Sequence, residues 1–317
     1  LQARTVSGDE SPAQSSFISA GTRKFLTDFM IGGTAGAIAK TVAAPIERVK
    51  LLLQTQDVNA ALTSRKYKGI GDCFVRCVRE EGIISLWRGN MVNVVRYFPT
   101  QALNFSFKDF YGKFNPYTAQ SDKTKFFVGN LLTGGMAGAT SLLFVYPLDF
   151  ARTRLGVDIG RALEQRQFTG TMDCLVKIYK TDGTAGLYRG FNISVLGIFV
   201  YRAFYFGGYD AGKMLMFGSK EKADQSSILV RFAFAQFITT TSETFAYPLD
   251  TIRRRLMMQS GRNEIIYTGT MDCAKKIMVN EGSRAFFKGN FSNIVRSLGS
   301  SLVLVLYDEM QKMFARA

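Results

Sequence analysis

One motif written three times constrains this chain more than any other feature. Pro-x-acid-x-x-base occurs as Pro45-Ile-Glu47-Arg-Val-Lys50, Pro147-Leu-Asp149-Phe-Ala-Arg152 and Pro248-Leu-Asp250-Thr-Ile-Arg253, with the prolines 102 and 101 residues apart. A second set follows in phase: Tyr67-Lys-Gly69, Phe168-Thr-Gly170 and Tyr267-Thr-Gly269, each leading to Asp72-Cys73, Asp173-Cys174 or Asp272-Cys273. A third set keeps the register, as Glu81-Gly82 with Trp87-Arg88-Gly89, Asp182-Gly183 with Tyr188-Arg189-Gly190, and Glu281-Gly282 with Phe287-Lys288-Gly289. Markers held in one phase over three copies mean that a unit of roughly 100 residues is repeated, so the fold is counted in thirds.

Each repeat reads as an apolar helix, a short charged helix and a second apolar helix. The first apolar segments run over about Phe25–Gln54, Phe126–Leu155 and Leu229–Met257, and the second over about Asn90–Phe114, Phe191–Phe217 and Asn290–Phe314. All are long enough to cross a bilayer. None is a clean oily run, and a polar helix face at that depth must point into a bundle or an aqueous cavity. The expectation is an all-α membrane protein of six transmembrane helices around a central cavity, with short helices such as Gly71–Glu81 and Thr171–Thr181 at the water interface. Residues 25–125, 126–226 and 227–317 would be the repeats, after a polar extension at 1–24 that resembles neither a secretory signal nor a span. The runs Gly32-Gly33-x-x-Gly36 and Gly134-Gly135-x-x-Gly138 predict close approach of helix backbones.

Composition narrows the chemistry. The 317 residues contain no histidine, which removes Ser-His-Asp and Cys-His nucleophiles, HExxH zinc sites and histidine proton shuttles. The four cysteines form no CxxC pair and read as reduced thiols, with no structural zinc and no cofactor expected. Lys and Arg number 40 against 25 Asp and Glu, a net charge of +15, yet no RNA- or DNA-binding module accompanies the surplus. An enzyme reading fails as well, because Ala39-Lys40-Thr41 lacks the glycine that a phosphate loop places before its lysine.

The basic surplus has a place to go. Lys40, Arg96, Arg202 and Arg296 fall inside the apolar segments, where a cation is costly unless solvated or paired. With few acids at that depth, a polyanionic ligand entering from water is the expected partner. Tyr97 and Tyr201 flank two of the arginines and could sandwich a planar base beside its phosphates. In the tripled motif, proline bends the helix while the acid and base share one face, so three copies make a ring able to plug one end of the bundle. The other helix ends carry Phe107-Lys-Asp109, Tyr209-Asp210-x-x-Lys213 and Tyr307-Asp308-x-x-Gln311, an incomplete second ring.

These motifs resemble the mitochondrial carrier family over about residues 24 to 316. Within it, Arg253-Arg254-Arg255-Leu256-Met257-Met258, Arg96-Tyr-Phe-Pro-Thr-Gln101 and Tyr146-Pro-Leu-Asp-Phe-Ala-Arg-Thr-Arg154 are similar to the ADP/ATP carriers. The resemblance implies threefold pseudosymmetry, three short matrix-side helices, a multi-pass place in the mitochondrial inner membrane, and antiport of ADP against ATP by alternating access. It implies that Lys40, Arg96 and Arg296 grip phosphates, that Gly197, Ile198 and Tyr201 line an adenine pocket, and that Arg202 lies beside it. It implies a matrix gate of Glu47, Lys50, Asp149, Arg152, Asp250 and Arg253, braced by Gln54, and a cytoplasmic gate of Asp109, Asp210, Lys213 and Asp308. Cardiolipin phosphates are implied at helix N-termini near Gly89, Gly190 and Gly289, where free amides and the helix dipole attract anions.

The sequence also departs from that pattern. Glu243 stands five residues before Pro248, the repeat position of Lys40 before Pro45, where ADP/ATP carriers usually have glycine. A carboxylate there could pair with Lys40 or Arg296 and compete with nucleotide phosphates. Leu256 replaces a methionine at nearly constant volume, Ala246 replaces a serine, and Gly112 and Gln311 stand where the family has basic residues. An alternative therefore accompanies the exchanger: a carrier-fold structural or lipid-binding subunit of a larger inner-membrane complex, with lost or altered transport. A carrier for another phosphorylated anion is a third reading.

Overall fold

The computed structural model describes residues 20–62, 65–114, 123–217, 227–262 and 264–299. Long helices are α1 (Ala20–Thr55), α3 (Asn90–Gly112), α4 (Lys123–Val157), α6 (Phe191–Phe217), α7 (Ile228–Gln259) and the described part of α9, residues 290–299. Short helices are α2 (Ile70–Arg76), α5 (Thr171–Leu187) and α8 (Thr270–Glu281). There is no strand among the described residues. The sequence places a long helix up to Phe314, and its continuation past residue 299 lies outside the described residues. Helix α3 packs along α4, α6 along α7, α1 against α3, α4 against α6, and α1 against α7, so the helices form a ring.

Among the described residues, two helices, Lys125–Val157 and Phe191–Met216, are long and apolar enough to cross a membrane. Two of the six expected spans are thus matched on length and apolar character among the described residues. Helices α1, α3 and α7 carry charged residues such as Lys40, Arg96 and Glu243 well inside their lengths, which lowers the average hydropathy over a window.

The repeated markers each have a backbone task. Pro45, Pro147 and Pro248 lie inside α1, α4 and α7, and each removes the hydrogen bond that the carbonyl four residues earlier would accept. The aromatic residue of the third marker set replaces it: Trp87 Nε1 donates to the Thr41 carbonyl at 2.8 Å, and Tyr188 Oη donates to the Leu143 carbonyl at 2.9 Å. Phe287, the third copy, has no donor to offer. The tyrosine before proline does the reverse, with Tyr146 donating to the Arg189 carbonyl and Tyr247 to the Lys288 carbonyl, both at 2.8 Å.

Each short helix starts from the second marker set. Asp72, Asp173 and Asp272 each accept, at 2.9 Å, the backbone N–H of the residue four earlier, Lys68, Thr169 and Thr268. The following Cys73, Cys174 and Cys273 are buried and free. Burial pushes the thiols of Cys174 and Cys273 up to about 12, which suits reduced, unreactive packing groups. Gly183, with a non-helical φ of 66° and ψ of −159°, breaks α5 just past its expected end, as Gly82 and Gly282 do after the other two short helices. After α2 the chain makes a π-helical turn over Cys77–Glu81 instead of continuing regularly.

The acid and base of the third set clamp the next repeat. Glu81 pairs with Arg88 at 2.5 Å and accepts the Gly160 N–H, while Asp182 pairs with Arg189 at 3.1 Å and accepts the Gly261 N–H. Lys288 pairs with Glu281 at 3.1 Å and reaches Asp57 at 2.5 Å, closing the circle from the third repeat to the first. Glu81 also holds Arg48, whose side chain is 1% exposed, at 2.9 Å.

Glycine works differently from the expected backbone-to-backbone approach. A Cβ on Gly33 or Gly36 would collide with the rings of Phe98 or Tyr97, and one on Gly134 or Gly135 with Arg202 or Phe199. These glycines are seats for side chains of the neighbouring helix. True backbone approach occurs at Gly89, Gly190 and Gly289, whose φ values of 79°, 83° and 84° are left-handed. A Cβ there would stand 3.0, 3.0 and 3.1 Å from the carbonyls of Arg152, Arg253 and Lys50, the bases of the tripled motif in the next repeat.

Candidate functional site

The fold brings the tripled motif together at one end of the bundle. Glu47 pairs with Arg152, Asp149 with Arg253, and Lys50 Nζ lies 3.0 Å from Asp250 Oδ2. Every bridge joins an acid of one repeat to a base of another, so the three form a closed ring. Gln54 Nε2 donates to Asp250 Oδ2 at 3.3 Å and to Thr251 Oγ1 at 2.9 Å, bracing the Lys50 bridge. Arg254 adds a contact to Asp250 Oδ1 at 3.3 Å. Of the remaining signature residues, Arg255 pairs with Asp57 at 3.1 Å and Leu256, Met257 and Met258 are buried in the core.

Immediately inside the ring lies a hollow of about 490 Å³ between α3, α4, α6 and α7, whose lining includes Arg96, Gly197, Ile198, Tyr201, Arg202, Ala246, Asp250 and Arg253. Its floor is therefore part of the ring. Ile198, Leu142, Val145 and Leu249 supply apolar wall, and Arg96 and Arg202 supply positive charge. Arg202 makes no ion pair among the described residues. Arg96 Nη1 stands 3.4 Å from Asp149 Oδ1, its Nη2 donates to Asn93 Oδ1 at 3.4 Å, and its buried Nε has no partner among the described residues.

Two of the expected cations lie off this hollow. The Lys40 ammonium sits 5.0 Å from the ring centre of Tyr97, and neither residue lines it. The expected sandwich of Tyr97 and Tyr201 around one base is thus not formed, because Tyr97 is seated on Gly36 of α1 and faces Lys40, while Tyr201 stacks on Tyr205. Arg296 is also off the lining. Its Nη2 lies 3.0 Å from Glu243 Oε1, so Glu243 pairs with Arg296, one of its two expected partners.

Sequence reading passed over Asn93 and Asn293. Each stands three residues before an arginine, Arg96 or Arg296, and links it to a carboxylate: Asn93 Nδ2 donates to Glu47 Oε2 at 3.1 Å, and Asn293 Nδ2 to Glu243 Oε2 at 2.8 Å. Their common phase was the available signal, blurred by Ser194 at the same place in the second repeat.

Of the expected opposite ring, only Asp109 and Lys213 have described side chains. Asp109 is exposed and makes no ion pair among the described residues, and Lys213 lies 5.0 Å from the Tyr209 ring centre. The side chain of Asp210, and all of Asp308 and Gln311, lie outside the described residues. Gly89, Gly190 and Gly289 stand at the N-termini of α3, α6 and α9, packed against the helices that carry the tripled motif.

Comparison with known proteins gives these features a context. The family model described as mitochondrial carrier protein matches residues 21–117, 123–220 and 224–317. The mitochondrial substrate carrier family protein ancA of Dictyostelium discoideum is 58% identical over 91% of this chain and 93% of its own length. ADP/ATP translocase 2 of Bos taurus is 55% identical, and ADP/ATP translocase 3 of Homo sapiens 54%, each over 91% of this chain and 97% of its own length.

Proposed function

This chain belongs to the mitochondrial carrier family, and we propose that it exchanges ADP for ATP across the mitochondrial inner membrane by alternating access. The observation that carries the reading is the hollow itself: Arg96 and Arg202 share one cavity with Gly197, Ile198 and Tyr201, directly above an ion-pair ring. A nucleotide needs both an apolar wall for its base and fixed cations for its phosphates. The relatives named ADP/ATP translocase support the same substrate pair.

In this reading six helices span the membrane in three repeats, and the polar faces of α1, α3, α7 and α9 turn inward. Arg96 meets phosphate with its unpartnered Nε, and Lys40 and Arg296 join it as the nucleotide moves across the bundle axis. Gly197, Ile198 and Tyr201 hold adenine, with Arg202 beside them. The ring of Glu47, Lys50, Asp149, Arg152, Asp250 and Arg253 is the matrix gate, and Asp109, Asp210, Lys213 and Asp308 belong to the gate opposite. Bound phosphate charge competes for Arg96 and so loosens its hold on Asp149, which is how substrate weakens the ring that keeps it in. Because ATP carries one more negative charge than ADP, a membrane potential drives the exchange by about 2.3 kcal/mol per 100 mV. Cardiolipin phosphates sit at Gly89, Gly190 and Gly289, and the protein acts as a transporter, not an enzyme.

The test is thermal unfolding of the purified protein with and without nucleotide. A ligand of the folded state present at 100 times its dissociation constant stabilises by about 2.7 kcal/mol. ADP and ATP should raise the midpoint, and AMP or inorganic phosphate at equal concentration should raise it far less. A second reading, a carrier-fold structural or lipid-binding subunit of a larger inner-membrane complex, is favoured by the Arg296–Glu243 pair, in which the protein supplies its own anion. It predicts no nucleotide shift and a copurifying assembly.

A further inference from the structure

Glu243 and Asn293 join the two functional layers of the bundle at one point. Glu243 Oε1 accepts Arg296 Nη2 at 3.0 Å, and Oε2 accepts Asn293 Nδ2 at 2.8 Å. The amide oxygen of Asn293 accepts twice, from Arg296 Nε at 3.2 Å and from Lys50 Nζ at 3.0 Å. Lys50 Nζ is at the same time 3.0 Å from Asp250 Oδ2 in the ring. One amide therefore touches a resident carboxylate, a phosphate-binding candidate and a gate base, and its orientation is fixed, since only its nitrogen can donate to the carboxylate and only its oxygen can accept from the cations.

The first repeat has the same Asn-x-x-Arg geometry without the resident acid. There Asn93 links Arg96 to Glu47, which is itself a member of the ring, and the position five before proline is Lys40 instead of an acid. In the second repeat the positions are Ser194 and Leu142. The Asn-x-x-Arg pair thus occurs in two of the three repeats and the resident carboxylate in one, partly buried and oriented by two hydrogen-bonding partners.

We propose that Glu243 is a resident counter-ion that the incoming polyanion displaces from Arg296, and that Asn293 transmits this displacement to the Lys50–Asp250 bridge. The proposal rests on the nucleotide-exchange reading above. When phosphate takes Arg296, the guanidinium leaves both Glu243 and the Asn293 oxygen. Asn293 keeps its bond to Glu243 and turns with it, and Lys50 loses one of its two acceptors. The gate is weakened only after an anion strong enough to outcompete a carboxylate has arrived. Glu243 also sets selectivity, because once displaced it stays nearby as a negative charge, and its repulsion grows with the charge of the substrate, so ATP is penalised more than ADP.

The experiment measures KM and maximal rate for external ADP and ATP in liposomes loaded with ADP, comparing the unsubstituted protein with Glu243→Gln, Asn293→Ala and the double variant. Thermal unfolding confirms that each variant is folded. Glu243→Gln keeps the shape and removes the charge, so KM should fall about fivefold for ADP and more for ATP, with a changed maximal rate. Asn293→Ala should change the maximal rate and leave KM for ADP within about twofold. In the double variant the effect of Glu243→Gln on KM should persist while its effect on the maximal rate disappears. Exchange with a KM unaltered by Glu243→Gln, or an equal shift for both nucleotides, overturns the counter-ion role. A rate effect of Glu243→Gln that survives Asn293→Ala overturns the coupling. No exchange by the unsubstituted protein contradicts the nucleotide reading itself, and this proposal with it.

Discussion

Arg296 Nη2 and Glu243 Oε1 stand 3.0 Å apart with side chains 22% and 21% exposed, a pair neither fully solvated nor fully dry. At that burial the pair is expected to stabilise more than a surface bridge without the full desolvation cost of a core one. A thermal-unfolding cycle of Glu243→Gln, Arg296→Gln and both, without nucleotide, should give a coupling energy of about 1 kcal/mol. Strict additivity would show that the pair contributes nothing to the folded state.

The ion-pair ring makes a prediction about charge order. Lys50→Asp or Asp250→Lys alone leaves two like charges facing each other beside Gln54 and should cost about 3 kcal/mol of stability. The exchange of both should recover part of it, because the bridge is rebuilt with opposite polarity while a lysine at 250 faces Arg254. Recovery is read from the thermal midpoints; a double variant no better than the singles would mean that the pairing is incidental.

The proline-freed carbonyls test a smaller effect. Trp87→Phe and Tyr188→Phe each remove the donor to a carbonyl in α1 or α4 and should each cost about 1 kcal/mol. The third repeat offers the converse, since Phe287→Tyr brings a hydroxyl to the place that Tyr188 fills, and should raise stability by up to about 1 kcal/mol. Unchanged midpoints for the two removals would contradict the capping role.

Asp57 gives a pH signature outside the membrane-spanning part. Burial pushes its carboxyl up, but hydrogen bonds from the Lys288 and Lys66 ammonium groups outweigh this and hold it well below the usual carboxylate range. A depressed folded-state value contributes stability that is present above the unfolded value, about 3.9, and lost as pH falls towards the folded one. Asp57→Asn should therefore lower the thermal midpoint by a constant amount between pH 5 and pH 8, about three units apart. The gap to the unsubstituted protein should narrow below about pH 4. A gap that widens in acid would contradict this assignment.

Much of this architecture is written in the sequence because the threefold markers serve backbone geometry, which every repeat must satisfy alike. Asp72, Asp173 and Asp272 begin the short helices in one way, and Gly89, Gly190 and Gly289 admit the neighbouring carbonyls in one way. The ring was legible for a related reason, since an acid and a base three residues apart on a helix share a face. Arg48 was not, because it lies between them on another face, and only the folded chain brings Glu81 beneath it. Asn93 and Asn293 carry no charge and fail to recur in the second repeat, so neither electrostatics nor periodicity marks them. Tyr97 and Tyr201 do not share one pocket, because rotation about two different helices decides which way each ring points.

The most direct measurement is labelled ADP uptake by liposomes carrying the purified protein, preloaded with ATP or left empty. Uptake should require internal nucleotide and should be lost in Lys40→Ala, Arg96→Ala and Arg296→Ala, while those variants remain folded. Uptake that persists in all three variants, or no uptake by the unsubstituted protein into ATP-loaded liposomes, would contradict a nucleotide held by these cations.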